Sequence, residues 1–156
     1  TAAIFAPMMA WVTGWFDTHR RELFPKRVTV VRDATHLSSF SWVRIDATDR
    51  IAAFSENLID RRDETIRNRV YAKLDAEIVR PNRIEIRTER VRRYSLFLNQ
   101  DLVDLTQRLT VVTKGRISSE GTLTPNMATL LREARQRHDR ALLFPAMLTL
   151  PVDSNP

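Results

Sequence analysis

The chain has 156 residues, a formal net charge of +6 and no cysteine. Its length suits one domain, or one domain with an appendage, and is sufficient for a single hydrophobic core. The lack of cysteine excludes disulfides, thiolate catalysis and cysteine-based zinc or iron–sulfur sites. No apolar stretch of about 18 residues occurs, so the sequence predicts no membrane-spanning helix.

The basic charge does not indicate a nucleic-acid-binding surface. Lys26, Lys73 and Lys114 are the lysines, which leaves 22 arginines among the 25 basic residues. These arginines alternate with acidic residues, as at 60–64 and 85–90. Mixed charge is typical of a solvated face, whereas phosphate binding favours a stripe of one sign. We therefore do not expect nucleic acid as a partner.

The N-terminal segment has the pattern of an amphipathic helix over residues 4–22. Apolar residues recur there at spacings of three and four, and Pro25 ends the segment. The chain begins with Thr1 and no methionine, so we expect residues 1–25 to be a connecting helix from a missing upstream domain. Trp11, Trp15 and Phe16 are the candidate residues of that domain interface.

From Lys26 onward the apolar pattern alternates with a period of two, which predicts strands. The predicted strands are 27–31, 40–45, 70–79, 84–87, 91–98, 109–113, 116–119 and 146–152. Lys114-Gly115 is a tight-turn pair that predicts a hairpin. Many short strands separated by turns favour a mainly β fold, an antiparallel β-sandwich over residues 26–156 that follows the N-terminal helix.

Two helical segments interrupt the β pattern. The polar stretch at about 49–69 carries a weak apolar stripe and predicts a helical insertion. A clearer helix is expected at about 125–138, with Thr124 as its N-cap and Pro125 at its first position. Its apolar face is predicted to contain Met127, Leu130, Leu131 and Ala134.

The glycines exclude several families of active site. They are Gly14, Gly115 and Gly121. A Gly-x-Ser-x-Gly elbow, a P-loop and a dinucleotide fingerprint each need glycines at fixed spacings, and none of these motifs occurs. We therefore assign no catalytic residue, expect no cofactor, and do not expect this chain alone to be an enzyme.

The other titratable residues also give no strong signal. His19, His36 and His138 are not spaced as a helical metal pair, so no metal site is predicted. Asp101 and Asp104 could bind calcium or act as acid and base, but a loop stabilised by Asx hydrogen bonds is the favoured interpretation.

Trp42 and Arg44 are candidate binding residues. An aromatic ring and a guanidinium on one strand could stack a sugar or a peptide. A core tryptophan is the commoner explanation of Trp42.

Seven segments, taken in order along the chain, carry a resemblance to a known family. They are WFDTHRR at 15–21, FPKRV at 24–28, SWVRID at 41–46, NRIEI at 82–86, LFLNQDLVDL at 96–105, VVTKG at 111–115 and LFPA at 143–146. This order resembles the junction and C-terminal β-sandwich extension that follow the catalytic domain of certain bacterial α/β-hydrolases. These are esterase- or peptidase-like relatives of prolyl oligopeptidase and dienelactone hydrolase. The polar stretch at 49–69 is longer than this pattern leads us to expect.

The resemblance implies a non-catalytic accessory domain. The Ser, acid and His of the hydrolase would all precede Thr1, and the implied partner is the upstream catalytic domain of the same polypeptide. The domain would pack on that catalytic domain or hold a homo-oligomer together. The alternative is an independent β-sandwich module that binds carbohydrate, peptide or a cell surface. The sequence does not indicate a compartment.

Overall fold

The structure, a computed structural model, describes residues 2–18, 22–32, 39–49 and 71–152. Apart from Asp49, the helical insertion predicted at 49–69 lies outside the described residues, as do His19 and His36.

The described residues form two helices and nine strands. The N-terminal helix α1 is Ala2–Thr18, and residues 19–21 of the predicted helix 4–22 lie outside the described residues. The second helix α2 is Met127–Arg137. The strands are β1 (Arg27–Arg32), β2 (Ser39–Phe40), β3 (Val43–Thr48), β4 (Ala72–Arg80), β5 (Arg83–Glu89), β6 (Val91–Leu98), β7 (Leu109–Thr113), β8 (Arg116–Gly121) and β9 (Ala146–Pro151). Neither described helix is long and apolar enough to span a membrane.

The strands form two sheets, which confirms the predicted β-sandwich. Sheet A has the order β1-β4-β5-β7-β8, and sheet B has the order β2-β3-β6-β9. All the pairs are antiparallel except β5 with β7, which is parallel. The parallel pair departs from the predicted antiparallel pattern because β6 crosses to sheet B, and the loop at 99–108 then returns the chain to sheet A.

Turn chemistry accounts for two of the hairpins. Lys114 and Gly115 have φ of 50° and 81°, the left-handed pair that a two-residue hairpin between β7 and β8 requires. Asn82, with φ of 53°, turns the chain between β4 and β5. The turn at Lys114 and Gly115 confirms the hairpin that the sequence predicts there.

The strand predicted at 40–45 is interrupted. Ser41 has φ of 51°, so it leaves the extended conformation and separates β2 from β3. Residues 41 and 42 form a turn there. Alternating side chains alone do not reveal such a break, because a serine can adopt either backbone conformation at modest cost.

The N-cap of α2 is Asn126 rather than the predicted Thr124. The Asn126 Oδ1 accepts hydrogen bonds from the backbone N–H groups of Ala128 at 2.8 Å and Thr129 at 3.4 Å. Its own N–H donates to the carbonyl of Pro145 at 2.7 Å. Both contacts place the start of the helix two residues later than the Thr-Pro pair indicates.

The core lies between the facing sides of the two sheets. Alternate residues of each strand are buried there, including Leu74 and Ile86 of sheet A and Ile45 and Leu96 of sheet B. A buried pair of hydroxyls crosses this core, where Tyr94 Oη and Thr113 Oγ1 are 2.6 Å apart. Because both hydroxyls are buried, each depends on the other for its hydrogen bond.

A buried asparagine fixes the loop that leads to β7. Asn82 is 7% exposed, and its side chain makes two hydrogen bonds to the backbone of Asp104. Its Nδ2 donates to the carbonyl at 2.7 Å, and its Oδ1 accepts from the N–H at 2.8 Å. The carbonyl of Asn82 also accepts from Thr110, the second residue of β7, at 2.9 Å. The β4–β5 turn therefore positions the strand that pairs in parallel with β5.

The buried hydroxyl of Tyr94 predicts a loss of stability at alkaline pH. Burial raises the pKa of Tyr94 from 10.0 to about 12, and the hydrogen bond with Thr113 opposes this rise. Between these two values the unfolded chain loses the phenol proton while the folded chain keeps it. The free energy of unfolding should therefore fall as pH rises from about 10 to 12, by roughly 2–3 kcal/mol.

Urea unfolding across this pH range measures the effect, with Tyr94→Phe as the control. The variant should be less stable at neutral pH because Thr113 loses its partner, yet its stability should change less between pH 10 and 12. Equal pH dependence in the two proteins would contradict the assignment.

Candidate functional site

The outer face of sheet B is covered by a third layer. On β6, Tyr94 and Leu96 point into the core, so Ser95 and Phe97 lie on the opposite face. Ser95 and Phe97 are nevertheless both 0% exposed. Helix α2 and the segment that follows it pack over this face, and their contacts with Phe97 form the candidate site.

Two guanidinium groups lie close to the ring of Phe97. The Cζ of Arg137 is 4.6 Å from the ring centroid, and the Cζ of Arg44 is 4.8 Å from it. Arg137 is also 4.8 Å from the ring of Phe144, which lies 6.1 Å from Phe97. Both aromatic rings are fully buried, so these cation–π contacts are shielded from water.

Arg137 belongs to a buried ion pair on one face of α2. Its Nε lies 3.5 Å from Oε2 of Glu133, one helical turn earlier, and the Glu133 side chain is 4% exposed. Its Nη1 donates to the carbonyl of Ser41 at 2.5 Å. Burial lowers the pKa of Arg137, and the carboxylate of Glu133 opposes this shift. The pair holds α2 against the turn between β2 and β3.

Arg44 belongs to a polar network on the sheet beneath the helix. Its Nε donates to Oδ1 of Asp46 at 2.7 Å, and Oδ2 of Asp46 accepts from Ser95 Oγ at 2.6 Å. Ser95 Oγ is also 2.7 Å from Thr149 Oγ1. The network spans β3, β6 and β9, and it fixes the orientation of the Arg44 guanidinium beside Phe97.

A cleft of about 430 Å³ opens between α2 and the β2–β3 turn, and we call it the arginine cleft. It is lined by Ser39, Phe40, Ser41, Arg44, Glu133, Gln136, Arg137, Asp139 and Leu142. These residues include no histidine, so Ser41 has no neighbouring imidazole base among them. The arginine cleft therefore combines hydrogen-bond donors and acceptors with apolar side chains.

The two candidate binding residues from the sequence are not equivalent in the structure. Arg44 lines the arginine cleft. Trp42 is 0% exposed, and its indole Nε1 donates to the carbonyl of Pro25 at 2.7 Å. Trp42 therefore cannot stack on a ligand while the domain is folded, and the two residues do not form one binding surface.

The candidate interface residues all lie on α1 and are exposed. Trp11 is 70% exposed, Trp15 46% and Phe16 64%. The rings of Trp15 and Phe16 contact each other edge to face, with centroids 5.3 Å apart. Met8 and Met9 are also more than half exposed, and we call these five side chains the α1 patch.

Asp104 stabilises its own loop, as the Asx interpretation predicts. Its Oδ1 accepts from the N–H of Thr106 at 2.9 Å and from Thr106 Oγ1 at 2.6 Å, and these bonds lower its pKa. Across the described part of the chain, no three His, Asp or Glu side chains are placed to hold a metal ion. His138 is the exposed C-cap of α2.

Sequence reasoning did not find Glu133, Arg137 or Phe97. It predicted that Met127 and Leu131 lie on the face of α2 that packs, but they are 69% and 61% exposed. The Glu-x-x-x-Arg spacing of residues 133 and 137 is a signal for an ion pair on one helix face. A phenylalanine at 97, between inward-facing Leu96 and Leu98, is a signal that both faces of the strand are covered.

Comparison with protein-family models, curated proteins and solved structures finds no match to this chain. The hydrolase resemblance therefore depends on the sequence segments described above.

The buried ion pair predicts a large loss of stability when one partner is removed. Arg137→Met would leave the Glu133 carboxylate buried beside an apolar side chain, at a cost of about 3–5 kcal/mol in the free energy of unfolding. The double variant Glu133→Leu with Arg137→Met should recover most of this loss, because no charge then remains buried. Urea unfolding measures each value.

Arg132→Met is the matched control. Arg132 also lies near Glu133, at 3.9 Å, but its side chain is 53% exposed. Its removal should cost less than about 1 kcal/mol. A similar loss for Arg132→Met and Arg137→Met would mean that the buried pair does not hold α2.

Proposed function

We propose that this chain is a non-catalytic accessory domain that packs, through α1, against a serine-hydrolase catalytic domain preceding it in the same polypeptide. Its role there is to complete the folded enzyme and to shape access to the substrate. The observation that carries the proposal is the α1 patch, whose five large apolar side chains are between 46% and 70% exposed.

The α1 patch has the properties of a surface that binds another apolar surface. No charged residue occurs between Ala2 and Phe16. Each large aromatic side chain can remove roughly 150–250 Å² from water when it is covered. A contiguous exposed patch of this kind is uncommon on monomeric proteins and marks interaction sites. The chemistry of α1 therefore favours an apolar protein surface as its partner.

The resemblance to hydrolase extensions supports the identity of that partner. In the order of segments that resembles this family, WFDTHRR at 15–21 occupies the junction between the catalytic domain and the β-sandwich. The exposed Trp15 and Phe16 belong to this segment. A junction helix that packs on the catalytic domain would cover them.

An independent carbohydrate-, peptide- or surface-binding module is the second candidate function. An exposed aromatic platform at Trp42 would favour it, but Trp42 is buried. The arginine cleft is the feature that supports a binding role instead. A binding role of this cleft is compatible with an accessory domain, whereas it gives no reason for the exposure of α1.

The proposal predicts opposite effects of one variant in two contexts. Trp11→Gln with Phe16→Gln should change the free energy of unfolding of the isolated chain by less than about 1 kcal/mol, because both side chains are exposed. It should also reduce any self-association of the isolated chain. In a polypeptide that includes the preceding domain, the same variant should be destabilising by about 2 kcal/mol or more, since the two rings would be buried there.

Urea unfolding and sedimentation measure these effects, and Leu74→Ala is the control. Leu74 is 0% exposed, so its truncation should cost about 2–5 kcal/mol in both contexts. A comparable loss from the α1 variant in the isolated chain would show that α1 belongs to the core of the sandwich. No loss in the longer polypeptide would leave a second copy of the chain as the occupant of the patch.

A further inference from the structure

The arginine cleft has walls of two different kinds. Phe40, on the short edge strand β2, is 61% exposed and forms an apolar wall with Leu142. The remaining surface comes from polar and charged side chains of β2, β3, the turn between them, α2 and the segment that follows α2. A volume of about 430 Å³ lies within the range of small-ligand sites and suits a molecule of modest size.

Several hydrogen-bond donors of the arginine cleft make no hydrogen bond to the described residues. The Nε of Arg137 and the Oγ of Ser41 are buried and have no hydrogen-bond partner among them. Arg44 uses Nε for Asp46, and its Nη groups make no hydrogen bond to the described part of the chain. Arg44, whose side chain is 29% exposed, can therefore donate to an anionic or carbonyl oxygen in the cleft, and two further buried donors of its lining have no partner among the described residues.

An acceptor also remains beside these donors. The Glu133 carboxylate is almost fully buried, and its nearest described cations are Arg137 at 3.5 Å and Arg132 at 3.9 Å. Both distances indicate ion pairs rather than well-formed hydrogen bonds. Because these contacts are long, the Glu133 carboxylate can accept the N–H groups of a ligand beside them.

The balance of charge favours a ligand that carries both signs. The two guanidiniums of Arg44 and Arg137 are matched by the carboxylates of Asp46 and Glu133, and Asp139 lies on the same lining. A simple anion would meet these carboxylates, and a simple cation would meet the guanidiniums. A zwitterion places each charge beside a group of opposite sign without leaving a net charge in a partly buried site.

We propose that the arginine cleft binds a free α-amino acid with an apolar side chain. The ligand carboxylate would accept hydrogen bonds from Arg44, Arg137 and the Ser41 hydroxyl, and its ammonium would donate to Glu133. The apolar side chain would pack against Phe40 and Leu142. The arginine cleft shares no residue with the α1 patch, so this proposal can be tested separately from the accessory-domain proposal.

Titration of the full 156-residue chain with L-leucine, followed by amide and arginine-Nε NMR signals, tests the proposal. L-Leucine should bind saturably in the millimolar range and shift signals of Ser41, Arg44 and Arg137. N-acetyl-L-leucine lacks the ammonium, and L-leucinamide lacks the carboxylate. Each should bind about tenfold more weakly or worse, because a charged hydrogen bond is lost.

Arg44→Met should weaken L-leucine binding by about tenfold or more. Arg92→Met is its matched control, because it removes another Arg–Asp pair of sheet B, with Asp49, and Arg92 does not line the cleft. The control should bind as the unmodified chain does. Absence of saturable shifts in the unmodified chain, or equal affinity for L-leucine and both analogues, would overturn the proposal whether or not the Arg44 variant folds.

Discussion

Phe97 sets the architecture of sheet B, because its ring points away from the core and still has to be shielded from water. An ordinary sandwich strand leaves that face to solvent. Here β6 is buried on both faces from Tyr94 to Leu98, so α2 and Phe144 have to lie where they cover the outer one. The third layer shields Phe97, and the ion pair and the arginine cleft lie within that layer or at its edge.

The covering layer uses a cation, Arg137, beside its apolar side chains. Arg137 lies against both Phe97 and Phe144, and Glu133 balances its charge. The packing face of α2 includes the buried Glu133 with the half-buried Leu130 and Ala134, and Met127 and Leu131 are left exposed. The domain therefore carries exposed apolar side chains on α2 as well as on α1.

The sequence predicted the features that depend on local patterns. Alternation located most of the strands, and Lys114-Gly115 predicted its hairpin because both residues adopt left-handed φ. Non-local features were not predicted. The parallel β5–β7 pair depends on where β6 crosses, and the N-cap at Asn126 is fixed partly by its contact with Pro145. Of the predicted apolar stripe of α2, Leu130 and Ala134 are half-buried but Met127 and Leu131 are exposed, because periodicity cannot tell that the packing face of the helix also includes Glu133.

The candidate site shows the same limit. Arg44 could be singled out beside Trp42, but Arg44 and Arg137 are 93 positions apart and meet only through Phe97. The central claim, an accessory domain that packs on a preceding hydrolase, is tested most directly by reading the coding sequence upstream of Thr1. We expect a Gly-x-Ser-x-Gly elbow followed by an acidic residue and a histidine. A start codon immediately before Thr1, or an upstream sequence without that order of residues, would contradict the claim.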